Sequence, residues 1–283
     1  MILIADSGST KCDWALYDGS GFTTHSTQGF NPMFHTEQMV VDGLHNNLDL
    51  ASKAHQVEHI YYYGSGCQTA ELNSVIEQAL KIVFSQAQVD VDHDLTAAIR
   101  ATAGHQPGIS CILGTGSNLA YFDGQEIQTK TSGLGYILGD EGSGTYFGKK
   151  IVADYLYGQL PTELHKEIEH KFKLTKTVAI QNVYMRPNAN VYLASFMKVV
   201  SNYSDLDYVQ NMVLEGLLRF IDVHVRRFDE CQSVPVHFVG SIAYYFQGIL
   251  AQACEKRGIE LGKVVKKPID SLVAYHENLI NQA

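Results

Sequence analysis

Short apolar runs broken by glycine and Asp-Gly pairs set the rhythm of the first hundred residues. Ile2-Leu3-Ile4-Ala5 reads as a buried strand, Asp6-Ser7-Gly8-Ser9-Thr10-Lys11 as a tight turn, and Trp14-Ala15-Leu16-Tyr17 as a second strand ending at Asp18-Gly19. Asp-Gly between two such runs is a strong hairpin signal, so a third strand is expected over residues 21–27. Residues 36–51 carry apolar positions at helical spacing, with Met39, Val40, Leu44 and Leu48 on one face. A strand over 60–63 stops at Gly64-Ser65-Gly66. A helix over 69–85 follows, buried through Leu72, Val75, Ile76, Leu80 and Val83. Residues 88–93 predict a further strand, and Asp94 opens a small-residue helix running to about Ala103.

Gly104-His105-Gln106-Pro107-Gly108 is the clearest break, and after it the opening pattern returns. Residues 109–113 predict a strand, Gly114-Thr115-Gly116-Ser117-Asn118 a turn, 119–122 a second strand, Asp123-Gly124 another hairpin, and 126–130 a third strand. This self-similarity predicts two related α/β domains that share a cleft, divided near Pro107. The glycines of Gly133 to Gly144 are not spaced as a dinucleotide fingerprint and lie in no βαβ unit. Asp140 and Glu141 are expected in the first turn of a helix reaching Tyr157, where acids suit the helix dipole. Residues 162–228 read as almost wholly helical. They are followed by a strand over 236–239, Gly240-Ser241, a helix over 242–257, a strand over 260–265 and a last helix over 270–281 capped by Asp270.

Composition narrows the class. A chain of 283 residues, 45% apolar and 18% charged, has room for two domains with proper cores. A net charge of −9 disfavours a nucleic-acid partner, whose phosphates call for a basic surface. No apolar run approaches a membrane span, no basic and apolar leader precedes the first strand, and the five cysteines are odd in number and widely spaced. A reducing cytoplasm is therefore the expected setting.

The two glycine- and hydroxyl-rich turns carry the candidate chemistry. Ser9, Thr10 and Lys11 on one, and Gly114, Thr115 and Gly116 on the other, suit phosphate oxygens. Asp6 can hold Mg²⁺ through water. Asp94 has two readings from its position alone, a helix cap or a reactive carboxylate.

With Gly139-Asp140-Glu141-Gly142-Ser143 and Phe238-Val239-Gly240-Ser241, these turns stand in an order that resembles the actin-like ATPase superfamily of sugar kinases, actin and Hsp70 chaperones. Within it the wording is similar to the BadF/BadG/BcrA/BcrD ATPase family and its N-acetylglucosamine kinase-like branch. The resemblance implies an α/β fold of two ribonuclease H-like domains, 1–107 plus 268–283 and 108–267, the latter with a helical insertion. It implies an ATP-dependent kinase of an amino sugar, with ATP between the domains, Mg²⁺ as cofactor and a homodimer as a possible assembly.

By the same resemblance Asp94 becomes the catalytic base, with Asp92 and Asp90 as rivals, and Gly240 and Ser241 the adenosine motif. Asn31, Ser65, Gly66, Gly133, Leu134, Gly135 and Asp140 line the sugar. Leu134 stands where some N-acetylglucosamine kinases carry an aromatic residue, which leaves N-acetylmuramic acid and glucosamine open as substrates. Two alternatives share the fold: an ATPase activator of a radical dehydratase, which needs a cysteine-held iron–sulfur cluster, and a non-enzymatic sugar-sensing regulator.

Overall fold

The computed structural model of the chain describes residues 1–8, 10–130 and 133–280. It divides into two compact units, 1–104 with 267–283, and 105–266.

The first unit opens with β1 (Ile2–Ser7), β2 (Lys11–Tyr17) and β3 (Phe22–Gln28). Helices α1 (Glu37–His45) and α2 (Leu48–Lys53) follow, then β4 (His59–Gly64), α3 (Ala70–Val83), β5 (Gln88–His93) and α4 (Asp94–Thr102). The sheet order is β3-β2-β1-β4-β5, antiparallel across the first three strands and parallel through β4 and β5. Strand alternation sorts its core onto two faces. Leu3, Ala5, Trp14 and Tyr62 bury with α1 and α3 residues such as Leu44 and Ile76. Ile4, Ala15 and Tyr63 bury with Ala97 of α4 and with Ile269 and Leu272 near the C-terminus.

The second unit repeats the plan. It comprises β6 (Gly108–Leu113), β7 (Ser117–Phe122), β8 (Ile127–Gln128), α5 (Gly135–Leu138) and α6 (Gly144–Leu156). A helical stretch follows with α7 (Thr162–Phe172), α8 (Lys176–Ile180), α9 (Ala189–Ser195), α10 (Met197–Val200) and α11 (Asp207–Val223). The unit closes with β9 (Val236–Val239), α12 (Ser241–Tyr245), α13 (Gln247–Arg257) and β10 (Leu261–Val265). Its sheet order β10-β9-β6-β7-β8 is the order of the first sheet, with the meander antiparallel and β9 and β10 parallel. The Asp-Gly turns match in detail. Asp18 Oδ1 accepts from the Ser20 and Gly21 amides, Asp123 Oδ1 accepts from those of Gln125 and Glu126, and Gly19 and Gly124 take the positive φ each turn needs. The last helix, α14 (Pro268–Ile280), belongs to the first unit. Among the described residues no helix is long and apolar enough to cross a membrane.

Several local expectations need correction. Asp6, Ser7 and Lys11 lie in strands, so of the described residues only Gly8 and Thr10 remain in the first tip, and Ser117 and Asn118 likewise belong to β7. The helix expected over 36–51 is two helices, because Asn47 Oδ1 accepts from the Leu50 amide and caps a new start. Of the four residues placed on the buried face, Val40 and Leu44 bury, Met39 and Leu48 are 46% and 78% exposed, and Val41 buries as well. The third strand of the second meander is only two residues long. Asp140 and Glu141 precede α6 rather than opening it: Ser143 is the cap, its hydroxyl accepting from the Tyr146 amide at 3.1 Å. The helix expected over 242–257 breaks at Phe246. Asp270 sits inside α14, which starts two residues earlier at Pro268, a residue suited to a first turn.

Candidate active site

The first unit gathers its candidate residues where β1, β4 and β5 end together, at the pairs Ser7–Gly64 and Gly64–His93. Ser7 is fully buried and holds two loops at once. Its Oγ accepts from the Phe30 amide at 3.0 Å, and its carbonyl accepts from the Ser65 amide at 2.8 Å. The Asn31 loop and the Ser65-Gly66 turn are thereby fixed beside the first tip. Gly29 abuts that tip so closely that a Cβ there would stand 1.9 Å from the Gly8 carbonyl oxygen.

Asn31 is 7% exposed. Its Oδ1 accepts from the Met33 amide at 2.9 Å, and its side chain lies flat against Gly66, where an added Cβ would fall 2.3 Å from Oδ1. Gly66 has φ +85, a second reason for glycine. Asn31, Ser65 and Gly66 therefore form one group.

Asp94 begins α4, but it is not the cap. His93 takes that role with extended backbone, its Nδ1 accepting from the Leu95 amide at 3.1 Å. Of the cap and base readings for Asp94, the cap is thus removed. Asp94 Oδ1 is buried and receives no hydrogen bond, although it lies 3.0 Å from the same His93 Nδ1. Asp92 is committed to structure: Oδ1 accepts from the His93 amide at 2.8 Å and from Thr96 Oγ1 at 2.9 Å. The other rival, Asp90, pairs with His59 at 2.7 Å.

Asp6 shares this end of the sheet. Burial, then the charges of Asp94 and Asp13, push its pKa up to about 7 against the pull of Lys267. Burial with the charges of Asp94 and Asp92 also lifts the Cys67 thiol to about 12, which keeps it a neutral neighbour of Asp94. Lys11 is drawn aside: its Nζ sits 2.6 Å from Asp13, which also takes Ser26 Oγ and faces Lys267. Ser9 lies outside the described residues.

In the second unit the tip over residues 114–116 is fastened to the start of α6. Gly114 and Thr115 carbonyls accept from the Gly144 and Thr145 amides at 2.8 and 3.0 Å, and Thr145 Oγ1 also donates to Thr115 at 2.7 Å. Gly240, with φ +116, presses its backbone on the same tip; a Cβ there would stand 2.4 Å from the Leu113 carbonyl oxygen. Gly240-Ser241 and the Gly114 turn are therefore neighbours.

Asp140 joins the tip as well. Its carboxylate lies 2.9 Å from where a Gly116 Cβ would be and accepts from the Ser117 amide. Burial raises its pKa, partly offset by that amide and by the charge of Lys149. Gly133, Leu134 and Gly135 are exposed and lead into α5. Asp140 thus stands with the phosphate-type turn, separated in sequence from the Gly133–Gly135 loop by α5.

Sequence reasoning missed four supports of these groups: His93 as the cap beside Asp94, Ser7 beneath the first tip, Thr145 beneath the second, and Cys67. The Gly-Ser-Gly-Thr ending at Thr145 was a visible signal and the His93 cap is local to its own helix start, whereas Ser7 and Cys67 depend on how distant strands meet.

Two units with the same 3-2-1-4-5 sheet order, each opening on a hairpin with a glycine-bearing tip, define the actin-like ATPase fold. The chain is 35% identical to a candidate N-acetylglucosamine kinase of known structure from Porphyromonas gingivalis, covering 98% of this chain and 99% of that one with a TM-score of 0.92. It belongs to the N-acetylglucosamine kinase-like branch of the BadF/BadG/BcrA/BcrD ATPase family. An N-acetylmuramic acid/N-acetylglucosamine kinase of Clostridium acetobutylicum is 26% identical over 206 residues, 70% of this chain and 66% of the relative, so the match spans just under two thirds of that curated protein. A glucokinase of the ROK family from Streptomyces griseus, solved with glucose and AMPPNP, shares the fold at 14% identity, with 97% coverage of each chain and a TM-score of 0.55. No protein-family model matches the chain.

Proposed function

We propose that this protein is an ATP-dependent sugar kinase acting on an amino sugar, N-acetylglucosamine first among the candidates. The observation that carries the reading is Asp94: a carboxylate oxygen buried at the start of α4, receiving no hydrogen bond, on the same sheet end as Asn31 and Gly66. A buried carboxylate with a spare lone pair is fitted to accept a proton. Kinship with the Porphyromonas and Clostridium proteins supports the substrate class.

In this reading Asn31, Ser65 and Gly66 hold the sugar hydroxyls and fix the acceptor oxygen near Asp94. Asp94 takes the proton of the attacking hydroxyl as the oxygen bonds to the γ-phosphorus, and the bond to the departing ADP oxygen breaks. The Gly114–Gly116 turn offers backbone and hydroxyl groups to phosphate oxygens, with Gly240 and Ser241 beside it for the adenosine. Thr10 serves the first tip in the same way. Leu134 and the glycines around it are the proposed wall of the sugar site, and Asp140 acts next to Gly116.

The donors fit Mg²⁺. Asp6 is enclosed and surrounded by negative charge, which is why its carboxyl holds a proton up to about pH 7; a cation would relieve that. Among the described residues no three His, Cys, Asp or Glu side chains form a metal cluster, and Mg²⁺ characteristically makes do with one or two carboxylates, waters and phosphate oxygens. When bound it would neutralise charge on the phosphates.

The test is a panel of sugars with ATP and Mg²⁺, read as ADP release. N-acetylglucosamine should give the highest kcat/KM, followed by N-acetylmuramic acid and glucosamine. No sugar-dependent ADP release across the panel would overturn the reading.

A further inference from the structure

Three atoms at the start of α4 cannot all be satisfied at once. The Leu95 amide points at His93 Nδ1 from 3.1 Å, and Asp94 Oδ1 stands 3.0 Å from the same nitrogen. If Nδ1 carries a lone pair, it caps the helix and leaves Asp94 Oδ1 without a donor, a buried anion facing a lone pair. If Nδ1 carries a proton, it donates to Asp94 in a charge-assisted bond and releases the Leu95 amide. The imidazole therefore exchanges a helix cap for a salt bridge to the carboxylate beside it.

Resting on the kinase reading above, we propose that His93 is a positioning residue: protonated at Nδ1, it holds the Asp94 side chain in one orientation and keeps that carboxylate ionised for the incoming hydroxyl. The charges around the pair make such a residue useful. The charge of Asp94 reaches Asp6 on β1, and it reaches the neutral Cys67 thiol in the turn after β4. Asp92, on the strand itself, adds to the negative potential at His93. Arg100 of α4 stands 4.0 Å from Asp92, and from α3 the neutral amide of Asn73 donates to the Val91 carbonyl of β5. Within this set His93 is the one cation that touches Asp94. Burial pulls its pKa down, but the Asp94 bond and charge, then the Asp92 charge, carry it above the usual histidine value.

The first experiment uses His93→Asn. Asparagine is among the best capping residues, so α4 keeps its cap while the titratable nitrogen is lost. The acid limb of the kcat/KM profile on the best sugar should move up by about one pH unit, a loss approaching tenfold at pH values below the limb that narrows above it. KM for ATP should stay within about twofold, because no nucleotide contact is touched. The second experiment follows the His93 ring proton by NMR in protein without substrate. Asp94→Asn should lower the His93 titration midpoint by about one unit, since coupling between two sites is reciprocal. An unmoved acid limb in a folded His93→Asn protein, or an unmoved His93 midpoint in Asp94→Asn, overturns the proposal. The NMR result does not depend on turnover, so failure of the kinase reading and failure of this pairing are separately visible.

Discussion

The Tyr63 hydroxyl lies 2.8 Å from His276 Nε2, and this bond ties β4 of the first sheet to the last helix of the chain across 213 residues of sequence. Arg100 donates to the same hydroxyl and lies over the rings of Tyr63 and Tyr275, while His276 stacks on Tyr61 at 4.1 Å. With Arg100 donating to its oxygen, Tyr63 is set to donate to a neutral imidazole. Burial, then the charges of Arg100 and His59, push the His276 pKa down to about 4.

The pH consequence has a definite sign. Unfolded, His276 takes a proton near its ordinary value of 6.5; folded, it resists until about 4. The unfolded state thus binds more protons across that window, and stability is full above pH 6.5 and lost as pH falls toward 4. The shift corresponds to about 3 kcal/mol. Urea unfolding at pH 7 and at pH 4.5 should show the loss in the native protein, and His276→Phe should flatten this part of the profile. An equal pH slope in both proteins would contradict the assignment.

Asp6 carries the opposite sign. Its folded pKa of about 7 lies above the ordinary 3.8, so the folded state binds the extra proton, and the contribution of this group falls as pH rises from 3.8 through 7. Asp6→Asn removes a buried negative charge that faces Asp94 and Asp13. The full shift corresponds to at most about 4 kcal/mol. Thermal melts without Mg²⁺ should show the variant more stable than the native protein at pH 8 and nearly equal to it at pH 4. Turnover should be lost, the expected exchange of stability for function at such a site.

Gly66 supports Asn31 by leaving room. With φ +85 and no space for a Cβ, Gly66→Ala must both strain the turn and push the Asn31 amide aside. Backbone strain alone is about 1–2 kcal/mol. The variant should melt several degrees lower and raise KM for the sugar about tenfold, with KM for ATP unchanged. Equal rises in both constants would mean that the change is general unfolding of the sheet end.

The sequence was most legible where one signal is local and strong. The strand over 88–93 and the helix start at Asp94 coincide with β5 and α4, because an alternating run meets an acidic first turn and a string of small residues. The repeated Asp-Gly turns announced two meanders of like topology. Legibility fell where two local rules compete. Acids suit a first helical turn, yet Asp140 takes φ +58 in the loop and Ser143 caps, since a hydroxyl satisfies the Tyr146 amide and the three residues before it are free to turn. Lys11 looked like a phosphate ligand, but side chains two apart on a strand share a face, and Asp13 captures it. The approach of Asp140 to Gly116, and of Asn31 to Gly66, depends on folding distant segments together, and no spacing in the sequence reports it.

The two aspartates flanking His93 give the sharpest separation of catalysis from structure. Above the pH at which His93 loses its proton, that residue caps α4, and Asp94→Asn removes a carboxylate that receives no hydrogen bond at Oδ1. Thermal stability should therefore hold to within about 1 kcal/mol, while kcat falls by about 10²–10⁴, the usual worth of a general base, or roughly 3–5 kcal/mol of barrier. ATP affinity by calorimetry should be retained. Asp92→Asn is the mirror image. It weakens two hydrogen bonds, from the His93 amide and from Thr96 Oγ1, and the attraction to Arg100 at 4.0 Å. That variant should lose about 1–2 kcal/mol of stability and keep kcat within about threefold. If Asp94→Asn turns over normally on the best sugar while Asp92→Asn does not, the proton acceptor is Asp92 and the roles assigned to the pair are reversed.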